Sequence, residues 1–162
     1  MDDKIASLAP FPVDNVYHVG FLVRDVEESM GQVGKVFGAD WAKPRISQLE
    51  GRDGAPWTVT AVYSMQGPPF LELLSGFDDP GCPAALGFDN AAPGVHHFGV
   101  YAARWRDELA RLEELGMTVE GTGAGFGYAR SPLGFRIEVV SWKGRGFLID
   151  YMAANGRILG AS

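Results

Sequence analysis

Two histidines and two glutamates occupy matching positions in the two halves of this 162-residue chain. His18 and His97 each begin the pattern His-apolar-Gly-apolar, and Glu72 and Glu138 each lie in apolar-Glu-apolar-apolar-Ser. Strand alternation sets each acid among neighbours expected to be buried, where a carboxylate needs a proton, a cation or a metal. Two imidazoles and two carboxylates suit a divalent ion. The pattern therefore predicts a metal site on His18, Glu72, His97 and Glu138.

Each of these residues taken alone has a simpler explanation. A strand histidine is commonly a packed core residue, and a strand glutamate is commonly solvent-facing or paired with a cation. Arg136 lies two positions from Glu138 and offers such a partner, whereas Glu72 has no comparable neighbour in sequence. The repetition of both residue types in both halves favours a shared site. Alternation puts His96 on the face opposite His97, which predicts a structural or supporting role for His96.

Both halves also predict the same order of elements, βαβββ. In the first half Asp25 and Glu28 have the spacing of a capping box, and Val26, Met30, Val33 and Phe37 recur at helical intervals. In the second half Trp105, Leu109 and Leu112 recur in the same way. Gly38 and Gly116 stand where helix-ending glycines are expected.

Three strands are predicted after each helix. They lie near residues 45–50, 57–65 and 70–75 in the first half, and near 118–121, 125–130 and 135–141 in the second. The predicted organisation is a first module over 14–75, a Gly/Pro-rich linker over 76–94, a second module over 95–142 and a tail over 143–162. Phe147, Leu148, Tyr151 and Met152 in the tail indicate a short amphipathic helix, packed on the domain or on a partner.

Composition limits the classes of function. The net charge is −6 and the 14 basic residues are scattered, which argues against nucleic-acid binding. No apolar run reaches the roughly 20 residues needed to cross a bilayer, and the acidic start does not resemble a signal peptide. A single cysteine, Cys82, fits a reducing compartment, so we predict a cytoplasmic protein. With nucleic acid and membrane disfavoured, we predict that it acts on a small molecule.

The paired His-apolar-Gly-apolar strands, the paired βαβββ units and the late-strand glutamates resemble the vicinal oxygen chelate superfamily over about residues 14–142. This superfamily includes glyoxalase I, methylmalonyl-CoA epimerase, extradiol dioxygenases and the fosfomycin and bleomycin resistance proteins. The resemblance implies an α+β fold in which two tandem βαβββ modules form a cupped, incomplete mixed β-barrel around a metal, with the helices outside. The family's four ligand positions fall on His18, Glu72, His97 and Glu138, and the resemblance also implies a homodimer.

The stretch 94–98, Gly-Val-His-His-Phe, is similar to the start of the second unit in the epimerases. The first helix departs from the pattern, because many relatives carry a Phe-Tyr pair followed by Leu-Gly where this chain has Gly34-Lys35-Val36-Phe37-Gly38. Glu72 completes a four-ligand set like that of glyoxalase I and the epimerases. We therefore predict one divalent ion (Ni, Co, Zn, Mn or Fe) acting as a Lewis acid in an isomerase, epimerase or lyase. Glu138 and Glu50 are the predicted proton-transfer residues, although Glu50 also fits a solvent-facing loop acid.

Aromatic residues and arginines are the candidates for substrate contacts. We predict that Trp57, Phe70, Tyr101 and Tyr128 line an apolar pocket and that Arg136 holds an anionic group, with Arg45 and Arg130 as further cations. Two other functions remain open from the sequence. One is a protein that sequesters an aromatic ligand, as antibiotic-resistance proteins do. The other is an iron-dependent extradiol-type dioxygenase that uses His18, His97 and Glu138.

Overall fold

The computed structural model describes residues 13–50, 54–82 and 92–159, and its elements follow the predicted βαβββ order twice. A short 3-10 turn, Val13–Asn15, precedes the first strand. The elements of the first half are β1 (Val16–Leu22), α1 (Val26–Phe37), β2 (Arg45–Glu50), β3 (Pro56–Tyr63) and β4 (Phe70–Ser75). Those of the second half are β5 (Gly94–Tyr101), α2 (Trp105–Glu114), β6 (Thr118–Thr122), β7 (Phe126–Arg130) and β8 (Arg136–Val140), followed by α3 (Trp142–Ala154).

The eight described strands form one mixed sheet in the order β2-β3-β4-β1-β5-β8-β7-β6. β1 and β5 pair antiparallel at the centre, and each has a parallel neighbour from its own half, β4 and β8 respectively. The first strands of the two halves therefore lie side by side, with the last strand of each half next to them. This curled half-barrel of mixed strands confirms the predicted fold class.

Helices α1 and α2 pack on the outer face of the sheet. Asp25 caps α1 by accepting a hydrogen bond from the backbone N–H of Glu28 at 2.8 Å, and Gly38 ends the helix in the left-handed conformation at φ 64°. Val26 of α1 packs against fully buried Val62 and Leu73. Residues Trp105, Leu109 and Leu112 of α2 form a second cluster with Val100, Ala129 and Val139.

Helix α3 lies over the inner side of the half-barrel, unlike the two outer helices. Ser141 caps it by accepting a hydrogen bond from Gly144 N. Leu148 and Met152 are buried among Tyr17, Phe70 and Val140. The predicted amphipathic tail helix therefore packs on its own domain. No helix within the described residues is both long and apolar enough to cross a membrane.

Candidate metal centre

The two histidines reach the same point because each lies opposite a glycine of the other central strand. In the β1–β5 ladder His18 lies opposite Gly99, and His97 lies opposite Gly20. A Cβ atom at Gly99 would overlap the ring of His18, and one at Gly20 would overlap the ring of His97. Each histidine of the repeated pattern is therefore accommodated by the glycine of the other half. Both imidazoles are fully buried, with their Nε2 atoms 2.8 Å apart.

The two glutamates approach this histidine pair from either side. Glu72 of β4 places Oε2 3.3 Å from the Nε2 atoms of both histidines. Glu138 of β8 places Oε2 3.2 Å from His18 Nε2 and 3.5 Å from His97 Nε2. The side chains of Glu72 and Glu138 are 8% and 13% exposed, so Glu138 is the more accessible of the two carboxylates.

This donor set fits a divalent cation. One ligand atom from each of the four side chains lies within 4.8 Å of all the others. Neighbouring ligands at about 2.1 Å from a metal are about 3 Å apart when they subtend a right angle, close to the separations seen here. Two imidazoles also supply neutral nitrogen donors, and two carboxylates balance a 2+ charge. The four predicted residues can therefore hold a metal ion together.

The electrostatics of the four side chains themselves show how strongly these groups interact. Burial by itself lowers the pKa of His18, but the charges and hydrogen bonds of Glu72 and Glu138 outweigh burial and raise that pKa to about 9. Burial alone raises the pKa of Glu72, yet the contrary effect of His18 and His97 is larger and holds that pKa well below its ordinary value. A cation is thus stabilised at this point, and a proton on imidazole takes that role in the metal-free protein.

Two β-bulges alter the simple alternation of side chains. The register shifts between Val16 and His18 on β1, and between Gly20 and Phe21 where β5 carries an extra residue. Alternation predicted that His96 points to the face opposite His97. Because of the bulge, its side chain lies on the same side as His97 instead. Its Nδ1 lies 3.0 Å from His97 Nδ1 in the buried interior. Tyr17 likewise packs edge-on against His18, with the ring centroids 4.4 Å apart.

His96 therefore supports the outer nitrogen of one imidazole. With His97 Nε2 directed at the other three donor atoms, a proton on His97 Nδ1 would be donated to His96 Nδ1. His18 differs, because its Nδ1 is buried without a hydrogen-bond partner among the described residues. Packing against Tyr17 and Gly99 orients the ring of His18 instead.

Each glutamate also faces a tyrosine on the neighbouring strand. Tyr63 of β3 pairs with Glu72, and Tyr128 of β7 pairs with Glu138. The Tyr128 hydroxyl donates to Glu138 Oε1 at 3.0 Å, which leaves Oε2 directed at the histidines. Burial first, and then the glutamate charges, raise the pKa of Tyr63 and of Tyr128 well above its ordinary value. Both phenols therefore stay protonated as donors. The matching of Tyr63 with Glu72 and of Tyr128 with Glu138 is present in the sequence, because each tyrosine lies in the strand before its glutamate. Comparison of the two halves by the His and Glu patterns did not reveal it.

A cavity of about 210 Å³ opens directly on the two carboxylates. Of the predicted substrate contacts, Trp57 and Tyr128 line this cavity together with Glu72 and Glu138. Tyr101 and Phe70 line a neighbouring cavity of about 410 Å³. Tyr17 and Leu148 contribute to both cavities and stand between them.

Arg136, the possible cationic partner of Glu138 in the sequence, pairs with a different glutamate. Arg136 donates to Glu120 at 2.7 and 3.2 Å, and Arg130 also pairs with Glu120 at 3.0 Å. Glu120 on β6 holds these two arginines because β6, β7 and β8 are consecutive strands of the sheet. Arg45, by contrast, lines the 210 Å³ cavity. Glu50 belongs to β2 opposite Pro56, but its side chain lies outside the described residues.

Comparison with known proteins agrees with this architecture. Residues 17–133 match the sequence profile of the Glyoxalase/Bleomycin resistance protein/Dioxygenase superfamily. His18, Glu72 and His97 fall inside the matched region, whereas Glu138 and α3 follow it. A search of curated proteins by sequence finds no significant match.

Several solved structures share the fold at low sequence identity. A hypothetical protein from Bacillus halodurans has a TM-score of 0.56 and 15% identity, covering 78% of this chain and 92% of its own. Methylmalonyl-CoA epimerase from Mycobacterium tuberculosis has a TM-score of 0.54 and 18% identity, covering 85% of this chain and 94% of its own. A variant Streptomyces coelicolor methylmalonyl-CoA epimerase with 2-nitronate-propionyl-CoA has a TM-score of 0.53 and 16% identity, with coverages of 78% and 96%.

Proposed function

Because this chain belongs to the Glyoxalase/Bleomycin resistance protein/Dioxygenase superfamily, we propose that it is a metal-dependent isomerase, epimerase or lyase that moves a proton next to a carbonyl group. The observation that carries this proposal is the convergence of His18, Glu72, His97 and Glu138 at one point, with both glutamates lining a cavity. A bound divalent ion would supply Lewis-acid stabilisation of negative charge on a carbonyl or thioester oxygen.

Glu138 is the proposed proton-transfer residue. It lines the cavity, and its side chain is more exposed than that of Glu72, so a substrate can reach it. Its Oε1 is held by Tyr128 while Oε2 faces the histidines. Oε2 would ligate the metal, so Glu138 would act as the base by loosening from the ion, as a ligand glutamate at the cavity surface can do. Glu72 has a smaller accessible surface and contacts both histidines equally, which suits a ligand alone.

The cavity walls favour a substrate with an apolar body. Trp57, Val59, Phe126 and Val140 line the cavity above the carboxylates. Such walls exclude water and strengthen electrostatic interactions at the floor. The similarity in fold to methylmalonyl-CoA epimerases is at 16–18% identity. It supports the general class of enolate chemistry and does not indicate a particular substrate.

The test begins with metal-depleted protein titrated separately with Ni²⁺, Co²⁺, Zn²⁺, Mn²⁺ and Fe²⁺ by calorimetry. The loaded forms are then incubated in deuterated water with a panel of 2-substituted acyl-CoAs, 2-oxo compounds and aryl ketones, and exchange at the carbon beside the carbonyl is followed by NMR. We expect one tight site and exchange that disappears in Glu138→Gln. Glu113→Gln on the exposed side of α2 is the control. Absence of a tight divalent site would overturn the proposal.

The same aromatic walls support a second candidate, a protein that sequesters an aromatic ligand without transforming it. Trp57, Tyr63 and Phe126 give the cavity an aromatic lining independent of any metal. A chelator separates the two functions: ligand binding that survives metal removal, with no proton exchange in the loaded protein, favours sequestration.

A further inference from the structure

Helix α3 forms a roof over the cavity that opens on Glu72 and Glu138. Gly144, Phe147 and Leu148 of this helix are part of the cavity lining. Leu148 is 4% exposed and Met152 is fully buried, so the helix is part of the core and is not loosely attached. The roof follows the region that matches the superfamily profile, which ends at residue 133. The space above the carboxylates is therefore set partly by a segment that lies outside the matched region.

The roof is attached to the segment before β2. The Tyr151 hydroxyl donates to the backbone carbonyl of Lys43 at 2.5 Å, and Lys43 N donates to the Asn155 side chain at 2.8 Å. Arg157, just after the helix, donates to the carbonyl of Gly67 at 2.6 Å. These hydrogen bonds place the first residue of β2, Arg45, directly beside the helix. The Arg45 guanidinium lies over the ring of Phe147, 4.1 Å from its centroid.

Arg45 is the one cationic side chain that lines this cavity among the described residues. It is exposed at the edge of the cavity, and none of the described acidic side chains forms an ion pair with it. The other strand arginines considered as anion contacts, Arg130 and Arg136, are both bound to Glu120. The cavity thus has a positive group at its edge and two carboxylates at its floor.

Strand register gives the separation of these two ends. Arg45 pairs with Ala61, Ala61 pairs with Leu74, and Glu72 lies two residues along β4 from Leu74. Two strand spacings of about 4.8 Å and two residues of about 3.3 Å each put the Cα atoms of Arg45 and Glu72 about 10–12 Å apart. The side chains of Arg45 and Glu72 extend into this interval, so their charged groups are closer together than the Cα atoms. A ligand that touches both ends needs its anionic group and its reacting carbonyl several ångströms apart.

We propose that the substrate is a compact aromatic anion, with its carbonyl at the carboxylate floor and its negative group on Arg45 at the edge. The position of the carbonyl rests on the function proposed above; the position of the anion rests on Arg45 alone. Trp57, Tyr63 and Phe126 flank the space between the two ends. Arg45 is the one cationic side chain that lines this cavity among the described residues, so the anionic group is placed at the edge.

The size of the cavity favours a compact molecule. Its volume of about 210 Å³ is below the roughly 300–1,000 Å³ of pockets that enclose drug-sized ligands. Phe147 and Leu148 occupy the inner side of the half-barrel, where a long substituent would otherwise extend. A coenzyme A thioester therefore fits this cavity less well than a single substituted ring.

The test uses 4-acetylbenzoate and its uncharged analogue 4-acetylbenzamide, which have the same shape and the same ketone. Calorimetry on the metal-loaded full chain measures the dissociation constant of each, with methylmalonyl-CoA as the bulky comparison. We expect the carboxylate to bind at least about tenfold more tightly than the amide, which corresponds to about 1.4 kcal/mol. Arg45→Gln is expected to remove this preference and Arg45→Lys to retain part of it. Arg104→Gln is the control, because Arg104 is an exposed arginine at the N-cap of α2 and does not line the cavity.

Two results would overturn the inference: equal binding of acid and amide by the unaltered protein, or tighter binding of methylmalonyl-CoA than of the aryl ketone acid. The unchanged melting temperature of Arg45→Gln is the check on folding, since Arg45 is exposed. Failure of the proposed function looks different. If the acid is preferred through Arg45 but no deuterium exchange occurs, this inference stands and the catalytic proposal is rejected. If exchange occurs but the preference does not depend on Arg45, the catalytic proposal stands and this inference is rejected.

Discussion

Gly99 lies against the ring of His18, so closely that a methyl group in place of its hydrogen would overlap the imidazole. Gly20 has the same relationship to His97. The repeated His-apolar-Gly-apolar pattern is thus reciprocal: the histidine of each half occupies the space left by the glycine of the other. This contact across the β1–β5 ladder is what allows the two Nε2 atoms to approach to 2.8 Å.

Gly99→Ala is expected to displace His18 and weaken the metal site. The added methyl group must push the ring or the strand aside, at a cost of about 1–3 kcal/mol for overpacking. Loss of one ligand's orientation should lower metal affinity at least about tenfold. Calorimetric titration with Co²⁺ and urea unfolding measure the two effects.

Gly31→Ala is the matched control. Gly31 is an exposed glycine inside α1 with no atom near its added methyl group. Alanine there should stabilise the protein by about 0.5–1 kcal/mol without changing metal affinity. Wild-type cobalt affinity in Gly99→Ala would show that the reciprocal glycines do not control the site.

The order of elements followed from the sequence because the duplication made each half a check on the other. Hydrophobic periodicity, the Asp25 cap and Gly38 located α1, and alternation set Glu72 and Glu138 among neighbours expected to be buried. These features depend on local chemistry, which a single strand or helix carries in its own residues. To predict that the four side chains converge, it was enough to infer in addition that the two halves share one site.

Contacts that depend on pairing between distant strands could not be predicted in this way. The bulge that turns His96 inward exists only in the ladder between β1 and β5. Arg136 has Glu138 as its near neighbour in sequence, but it donates its hydrogen bonds to Glu120 two strands away. The position of α3 over the cavity depends on tertiary contacts such as Tyr151 with Lys43. Each of these outcomes is decided by register or by packing, which periodicity does not contain.

Glu72→Gln and Glu138→Gln are expected to differ in their effect on catalysis. Each removes one negative donor, so metal affinity should fall in both by more than the roughly 10–100-fold typical of supporting residues. At saturating metal, Glu72→Gln should recover part of the proton exchange, because the proposed proton-transfer group is intact. Glu138→Gln should not recover it. Rates measured at several metal concentrations separate the two, and equal recovery would contradict the role given to Glu138.

The stability of the metal-free protein should fall as the pH rises from about 6.5 to 9. The pKa of His18 is raised from about 6.5 in the unfolded chain to about 9 in the folded one. Protonated His18 therefore stabilises the fold fully below pH 6.5, and this contribution is lost as the pH passes the folded value. A shift of this size corresponds to on the order of 3 kcal/mol. Urea unfolding at pH 6 and pH 9.5, in the presence of a chelator, measures it.

Glu72→Gln provides the comparison for this pH profile, because Glu72 is the strongest of the influences that raise the pKa of His18. Its stability should depend less on pH over the same interval. The pKa of Glu72 itself is lowered, so its contribution is present above the unfolded value of about 4.5 and is lost only at acid pH. A metal-free protein with constant stability from pH 6 to 9.5 would show that His18 is not held protonated.

His96→Leu is expected to weaken metal binding although His96 is not among the four converging residues. His96 Nδ1 lies 3.0 Å from His97 Nδ1, and support of this kind typically contributes about 10–100-fold to metal affinity. Leucine keeps most of the buried volume but cannot hydrogen-bond, whereas asparagine keeps a polar atom near the position of Nδ1. Affinity should therefore fall in His96→Leu and largely return in His96→Asn. The visible spectrum of the Co²⁺ form should also shift in His96→Leu, because the ring of His97 loses its fixed orientation. Equal affinities and unchanged spectra in both variants would mean that His96 fills space beside the site without orienting His97.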